Sequence, residues 1–151
     1  MKLLLVEDDE NKGIQLSSYI RESFPMAHLQ LERALQSGIR RIRKELPDLV
    51  LLDMTLPNYD IGPDEPGGDP QIFGGRDFLD QMDRLAIVVP VIVITQYETF
   101  GKPSKSLPQL DAELRADYPS SYRGAIYYHA SIHEWKEQLK RLVETSVHPY
   151  R

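Results

Sequence analysis

The chain has 151 residues, a formal net charge of −5 at pH 7, 41% hydrophobic residues and no cysteine. This length and composition predict a single soluble domain over residues 1–151, and the missing cysteine excludes disulfides, zinc–thiolate sites and thiol catalysis. The negative charge argues against a nucleic-acid partner, because phosphate binding needs clustered Lys and Arg. Accordingly, the basic run Arg40–Lys44 is interpreted as a solvated helix face.

Strand and helix patterns alternate five times along the chain, which predicts a doubly wound α/β fold with a parallel sheet. Aliphatic or alternating runs predict five strands: Leu3–Val6, His28–Glu32, Leu49–Asp53, Val88–Thr95 and Gly124–His129. Apolar residues at helical spacing predict the helices Asn11–Ser23, Leu35–Leu46, Gly75–Leu85, Leu107–Asp117 and a last one from Ser131. Ser131 and Glu134 have the spacing of a capping box, so Ser131 is the predicted N-cap.

Two long segments interrupt this alternation. Residues 61–74 are rich in Gly, Pro and Asp, and residues 96–106 have no regular period. Loops longer than ~12 residues inside a compact domain tend to be functional. A lid, a partner surface and a tolerated surface insertion all remain open for the first segment.

No apolar run approaches the ~20 residues of a membrane span, and the N-terminus begins directly with a strand pattern rather than a signal peptide. We therefore expect a cytoplasmic protein with no membrane partner.

Acidic residues stand where two predicted strands end. Glu7 and Asp8 follow Leu3–Val6, and Asp53 ends the third strand. The carboxyl ends of strands form the ligand-binding edge of open α/β sheets. Three carboxylates that meet there repel one another unless a cation neutralises them, and an all-oxygen donor set favours Mg²⁺. Thr95 adds a hydroxyl at the same edge.

A carboxylate beside a divalent ion and a hydroxyl is equipped to attack a phosphoryl group in line. For each acid alone, a turn or a helix cap is the simpler interpretation. Capping does not explain Glu7 and Asp8 together, so the set is a candidate site for metal-assisted phosphoryl chemistry.

The segments around these residues resemble the receiver domain of two-component response regulators. They are Leu4–Glu10 (LLVEDDE), Pro47–Pro57 (PDLVLLDMTLP), Pro90–Thr95 and Gly124–Tyr128, in the family's order. The resemblance implies a flavodoxin/CheY-like sheet of order 2-1-3-4-5 with helices on both faces. It also implies a stand-alone receiver that is not an enzyme, apart from its own phosphorylation and dephosphorylation.

On this resemblance, Asp53 is the phosphoacceptor and takes its phosphoryl group from a sensor histidine kinase or a phosphotransfer protein. Glu7, Asp8 and Asp53 hold Mg²⁺ together with the backbone carbonyl of Thr55. The resemblance also makes Thr95 the switch hydroxyl that binds the phosphoryl group.

Tyr128 matches the switch aromatic, whose movement changes the affinity of the face formed by the fourth helix, fifth strand and fifth helix for a downstream protein.

One family feature is missing, because Ser131-Ile132 stands where receivers carry a Lys-Pro motif. Loss of a cation that stabilises a transition state typically costs ~10²-fold in rate. Lys102 or Lys105 could substitute from the second long loop, or both are solvated loop lysines.

Two alternatives therefore remain. One is a receiver-like interaction module that binds its partner independently of phosphorylation. The other is a Mg²⁺-dependent phosphohydrolase, which is expected to carry a second aspartate where Thr55 stands.

Overall fold

The computed structural model describes residues 1–59 and 74–147. Five parallel strands form the main sheet within these residues: Lys2–Val6 (β1), His28–Glu32 (β2), Leu49–Leu52 (β3), Val91–Thr95 (β4) and Tyr122–Tyr127 (β7). Thr99–Phe100 (β5) and Lys105–Ser106 (β6) pair as a separate antiparallel ribbon. The helices in the described part of the chain are Glu10–Ser23 (α1), Leu35–Lys44 (α2), Gly74–Arg84 (α3), Leu107–Asp117 (α4) and Glu134–Val147 (α5).

The strand order of the main sheet is β2-β1-β3-β4-β7, with all neighbours parallel. This is the predicted flavodoxin/CheY-like order, in which β7 is the fifth parallel strand. Leu49–Leu52 is fully buried because helices cover both faces of the sheet. Apolar residues of α1 and α5 pack on one face, and those of α2, α3 and α4 pack on the other.

Helix α3 begins in close contact with the segment that follows β3. The backbone N–H of Gly75 donates to the carbonyl oxygen of Met54 at 2.8 Å. A Cβ on Gly75 would lie 2.5 Å from the backbone oxygen of Asp53 and 2.8 Å from the Cα of Met54. Only glycine permits this approach, which fixes the chain around Asp53.

Several predicted element ends are wrong for identifiable reasons. Ser131 does not cap the last helix, which begins at Glu134. The backbone N–H of Ser131 instead donates to His129 Nδ1 at 3.1 Å, and Ile132 pairs with His129 in a short antiparallel bridge. Ala130 and Ser131 therefore form a tight turn closed by His129 and Ile132, and the helix starts only after this turn. The helix that does carry a capping box is α4, formed by Ser106 and Gln109.

The ends of α2 and β4 also differ from the prediction. Helix α2 stops at Lys44, so Leu46 is exposed, and β4 begins only after Pro90, so Val88 is exposed. Residues 96–106 contain the β5–β6 ribbon rather than an entirely irregular loop. The other predicted loop, 61–74, lies outside the described residues except for Gly74, which starts α3.

Among the described helices, no stretch has both the length and the apolar character needed to span a bilayer.

Candidate functional site

Glu7, Asp8 and Asp53 lie together at the carboxyl edge of the sheet. One carboxylate oxygen from each residue lies within 4.8 Å of the other two. Strands β1 and β3 are neighbours with Val6 beside Leu52, so the residues that follow them are also adjacent. The acids from these two strands therefore meet at one edge, as the sequence predicts.

A lysine outside the predicted set of site residues lies inside this acidic cluster. Lys12 Nζ lies 2.6 Å from Glu7 Oε1 and 3.2 Å from Asp53 Oδ1, and it donates to the backbone oxygen of Ile94 at 2.8 Å. The Lys12 side chain is only 1% exposed. The cation beside the candidate phosphoacceptor thus comes from α1.

The start of α1 explains the position of Lys12. Asp9 is the N-cap of this helix, and its side chain accepts a hydrogen bond from the backbone N–H of Lys12 at 2.9 Å. Side chains in a helix lean toward its N-terminus, which here lies over the acidic edge of the sheet. The position three residues after a capping aspartate is also typical of solvated lysines, so it does not by itself indicate this contact.

The other candidate cations lie elsewhere. Lys105 Nζ lies 2.6 Å from Glu113 of α4, and Lys102 is exposed between β5 and β6. Ser131 is exposed as well. Lys102 is therefore a solvated loop lysine, as the simpler interpretation has it, whereas Lys105 is half-buried in β6 and paired with Glu113.

The cluster carries more negative than positive charge when all its groups are ionised: three carboxylates and one ammonium give −3 + 1 = −2. Burial raises the pKa of Glu7 to about 8, although Lys12 acts in the opposite direction. Burial also raises the pKa of Asp53, against the effects of Lys12 and of a backbone hydrogen bond from Thr55. Burial and the nearby charge of Asp53 raise the pKa of Asp8.

Lys12 remains the positive partner in this cluster. Burial alone would lower its pKa, but the carboxylates of Asp53 and Glu7 outweigh that effect and raise it. The remaining negative charge would be balanced by a divalent cation.

The donor atoms fit a hard divalent cation. Glu7 Oε2 accepts from the backbone N–H of Asp9 at 3.1 Å, whereas Glu7 Oε1 is buried and no donor in the described chain forms an aligned hydrogen bond with it. Its short contact with Lys12 is therefore an ion pair rather than a well-directed hydrogen bond. Asp8 is less buried than Glu7 or Asp53, and the set consists of carboxylate oxygens, the ligands that Mg²⁺ prefers.

Thr95, the last residue of β4, is fully buried beside this edge. Its Oγ1 accepts a hydrogen bond from the backbone N–H of Tyr97 at 3.1 Å. Its carbonyl oxygen accepts from the backbone N–H of Tyr128 at 2.7 Å. Thr95 thus connects the acidic edge both to the start of the ribbon segment and to the end of β7.

The ring of Tyr128 packs in the layer between the sheet and helices α1 and α5. It lies 5.2 Å from the ring of Trp135, and Lys12 Nζ lies 5.9 Å from its centroid. The buried hydroxyl of Tyr128 has no hydrogen-bond partner among the residues described. Strand alternation places the half-buried Tyr127 on the opposite face, toward α4. The predicted switch role of Tyr128 stays a prediction, as does that of Thr95.

Solved structures share this fold along almost the whole chain. The signal receiver domain of a LuxO repressor protein from Vibrio parahaemolyticus has a TM-score of 0.69 and 21% identity, over 97% of this chain and 88% of that one. The Mn²⁺-bound form of response regulator Rcp1 has a TM-score of 0.63 and 16% identity, over 99% and 96%. The fold is therefore that of a response regulator receiver domain, which confirms the predicted resemblance.

Two curated relatives are similar in sequence as well, although no family model matches the chain. Detocs response regulatory protein DtcB of Enterobacter cloacae is 31% identical over 149 residues, covering 95% of this chain and 99% of that protein. The uncharacterized protein y4jR of Sinorhizobium fredii is 39% identical over 145 residues, covering 93% and 95%. The chain belongs to the family of response regulatory proteins that includes DtcB.

Proposed function

We propose that this receiver accepts a phosphoryl group on Asp53 with the help of Mg²⁺ and signals through protein–protein contacts. The observation that carries the proposal is the meeting of Glu7, Asp8 and Asp53 within 4.8 Å at the carboxyl edge of the sheet. A turn or a helix cap needs one acid, whereas three buried or half-buried acids around one point carry more charge than Lys12 alone can neutralise.

In the proposed reaction, a carboxylate oxygen of Asp53 attacks phosphorus and forms an acyl phosphate. The bond between phosphorus and the donor breaks, and the leaving group keeps the electron pair: a histidine nitrogen of a kinase or phosphotransfer protein, or the oxygen of a small acyl phosphate. Glu7, Asp8, Asp53 and the backbone carbonyl of Thr55 would hold Mg²⁺. When bound, the ion neutralises charge on the phosphoryl oxygens.

The proposed readout starts at Thr95. Its hydroxyl oxygen now accepts from the backbone N–H of Tyr97, and it would turn to donate to a phosphoryl oxygen. That exchange would release Tyr97 and shift the population of conformations of the segment that leads to the β5–β6 ribbon and α4. In this proposal Tyr128 moves less than Thr95, because Trp135 packs against its ring. The downstream protein partner would recognise the shifted surface.

A second candidate is an interaction module that binds its partner independently of phosphorylation. It is favoured by Lys12, whose ammonium pairs with both Glu7 and Asp53, and by the uncharged Ser131 at the position of the family lysine. In that case the acidic cluster would be an internal ion-pair network with a structural role.

Phosphorylation measured by intact mass separates the two candidates. The chain is incubated with acetyl phosphate or phosphoramidate, in Mg²⁺ or in chelator. We expect the gain of one phosphoryl group in Mg²⁺ only. Asp53→Asn should abolish the gain, and Asp48→Asn should keep it, because Asp48 lies at the opposite end of β3 and binds the backbone N–H of Lys2.

No mass gain in wild type, together with partner binding that is the same before and after treatment with the phosphoryl donor, would favour the interaction module.

A further inference from the structure

We propose that Lys12 is the cation that binds the phosphoryl group on Asp53, and that the same ammonium competes with the divalent ion for Glu7. This inference rests on the proposed phosphorylation of Asp53. It assigns to Lys12 of α1 the role that the family resemblance gives to a lysine after the last strand. It also implies that Lys12 and the divalent ion compete for Glu7.

The ammonium of Lys12 lies beside the carboxylate that would carry the phosphoryl group. Lys12 Nζ lies 3.2 Å from Asp53 Oδ1, so oxygens of a phosphoryl group attached to Asp53 would lie within reach of its N–H groups. Charge-assisted hydrogen bonds of this kind are about twice as strong as neutral ones. Lys12 keeps its proton throughout and acts through its charge.

Lys12 is also held in place by groups other than the acids. One N–H donates to the backbone oxygen of Ile94 at 2.8 Å, directly before Thr95. The ring of Tyr128 lies beside the ammonium, with Trp135 behind that ring. Lysine is almost never fully buried unless it is paired. The Ile94 contact would keep the ammonium at the site even if Glu7 turned toward a metal ion.

Lys12 is the cation that pairs with Asp53 in the described part of the chain. Ser131, at the position of the family lysine, carries no charge and is exposed. Lys105 pairs with Glu113. Lys12 thus supplies the charge that the family motif would otherwise bring.

The competition follows from the contact with Glu7. Lys12 Nζ lies 2.6 Å from Glu7 Oε1, the buried oxygen that accepts no aligned hydrogen bond in the described chain. With the ammonium the ionised cluster has a charge of −3 + 1 = −2, and without it −3. Removing Lys12 should therefore strengthen divalent-ion binding and slow phosphorylation. If Lys12 had only a structural role, its loss would instead weaken divalent-ion binding and slow phosphorylation together.

The test compares Lys12→Met with Lys102→Met and Lys105→Met, which replace two lysines outside the acidic cluster and serve as controls. Mg²⁺ affinity is read from the fluorescence of Trp135, the chain's single tryptophan, whose ring lies 5.2 Å from that of Tyr128. We expect Lys12→Met to bind Mg²⁺ at least about tenfold more tightly, because a unit charge a few ångströms away is removed. At saturating Mg²⁺ its phosphorylation by acetyl phosphate should be ~100-fold slower. The two controls should match wild type in both measurements.

Lys12→Gln and Lys12→Arg are further controls for a folding defect in Lys12→Met. Circular dichroism in saturating Mg²⁺ shows whether each variant is folded. Glutamine should reproduce the opposed effects of methionine, and arginine should keep wild-type Mg²⁺ affinity because it keeps the charge. Wild-type phosphorylation rates in folded Lys12→Met or Lys12→Gln would overturn the proposal, and so would weaker Mg²⁺ binding in both. If wild type itself is not phosphorylated, the proposed function fails, and the Mg²⁺ comparison still decides the competition with Glu7.

Discussion

Replacing Glu7 by glutamine should stabilise the metal-free protein, although it removes a candidate metal ligand. Burial raises the Glu7 pKa from its ordinary 4.5 to about 8, so the folded state disfavours the ionised form. For an acid whose pKa is raised on folding, the penalty is small below the unfolded pKa and grows until the pH passes the folded pKa. These two pKa values give a penalty of about 3 kcal/mol at pH 7 and less than about 1 kcal/mol at about pH 5. Glutamine has nearly the same shape and no charge, so it avoids this penalty.

Thermal unfolding in chelator, followed by circular dichroism from about pH 5 to about pH 8, measures the effect. For a chain of this size, about 3 kcal/mol corresponds to roughly 10 °C in Tm. The advantage of Glu7→Gln should grow with pH and should shrink or reverse in saturating Mg²⁺, which binds the wild-type carboxylate. A Glu7→Gln protein that is less stable than wild type in chelator at about pH 8, or a difference that does not change with pH, would refute the reasoning.

Three further variants test other parts of the account. Gly75→Ala should destabilise the fold by more than ~2 kcal/mol and reduce Asp53 phosphorylation, because its Cβ would lie 2.5 Å from the backbone oxygen of Asp53. Gly13→Ala is the matched control in a denaturant titration, since its Cβ would make only an ordinary 3.8 Å contact with Glu7, and equal stability of the two variants would contradict the packing argument. Tyr128→Phe should leave stability unchanged or raise it by up to ~1 kcal/mol, because it removes a buried hydroxyl without a partner in the described chain. A clear loss in Tm would contradict this and would mean that the hydroxyl forms a stabilising hydrogen bond. Ser106→Ala should cost about 1 kcal/mol through loss of the α4 capping box, whereas Ser120→Ala, at an exposed turn, should cost nothing measurable in the same unfolding assay.

The sheet and its acidic edge could be predicted because their signals are local. Leu49–Leu52 is aliphatic throughout, which fits a strand covered on both faces, and Asp53 is the residue at which that pattern ends. The order of parallel strands then brings Glu7 next to Asp53 whatever the loops do. The predicted fold and the receiver resemblance are therefore confirmed, whereas the roles of Thr55, Thr95 and Tyr128 stay predictions.

Lys12 could not be assigned from its neighbours in the sequence alone. It stands in the polar first turn of a helix, where lysine is normally solvated, and it is buried only because Tyr128 and Ile94 lie against it. Similarly, Ser131 has the local sequence of an N-cap, but it lies in a tight turn closed by the pairing of Ile132 with His129. In both places long-range or non-helical contacts decide between conformations that the local sequence permits.

The most direct test of the central claim is to locate the phosphoryl group on the chain. Borohydride reduces an acyl phosphate of aspartate to homoserine, which peptide mass spectrometry assigns to one position. After treatment of wild type with acetyl phosphate and Mg²⁺, we predict homoserine at position 53 and none in a sample treated in chelator. Homoserine at another aspartate, or none at all in a fully folded sample, would contradict the assignment of Asp53 as the phosphoacceptor.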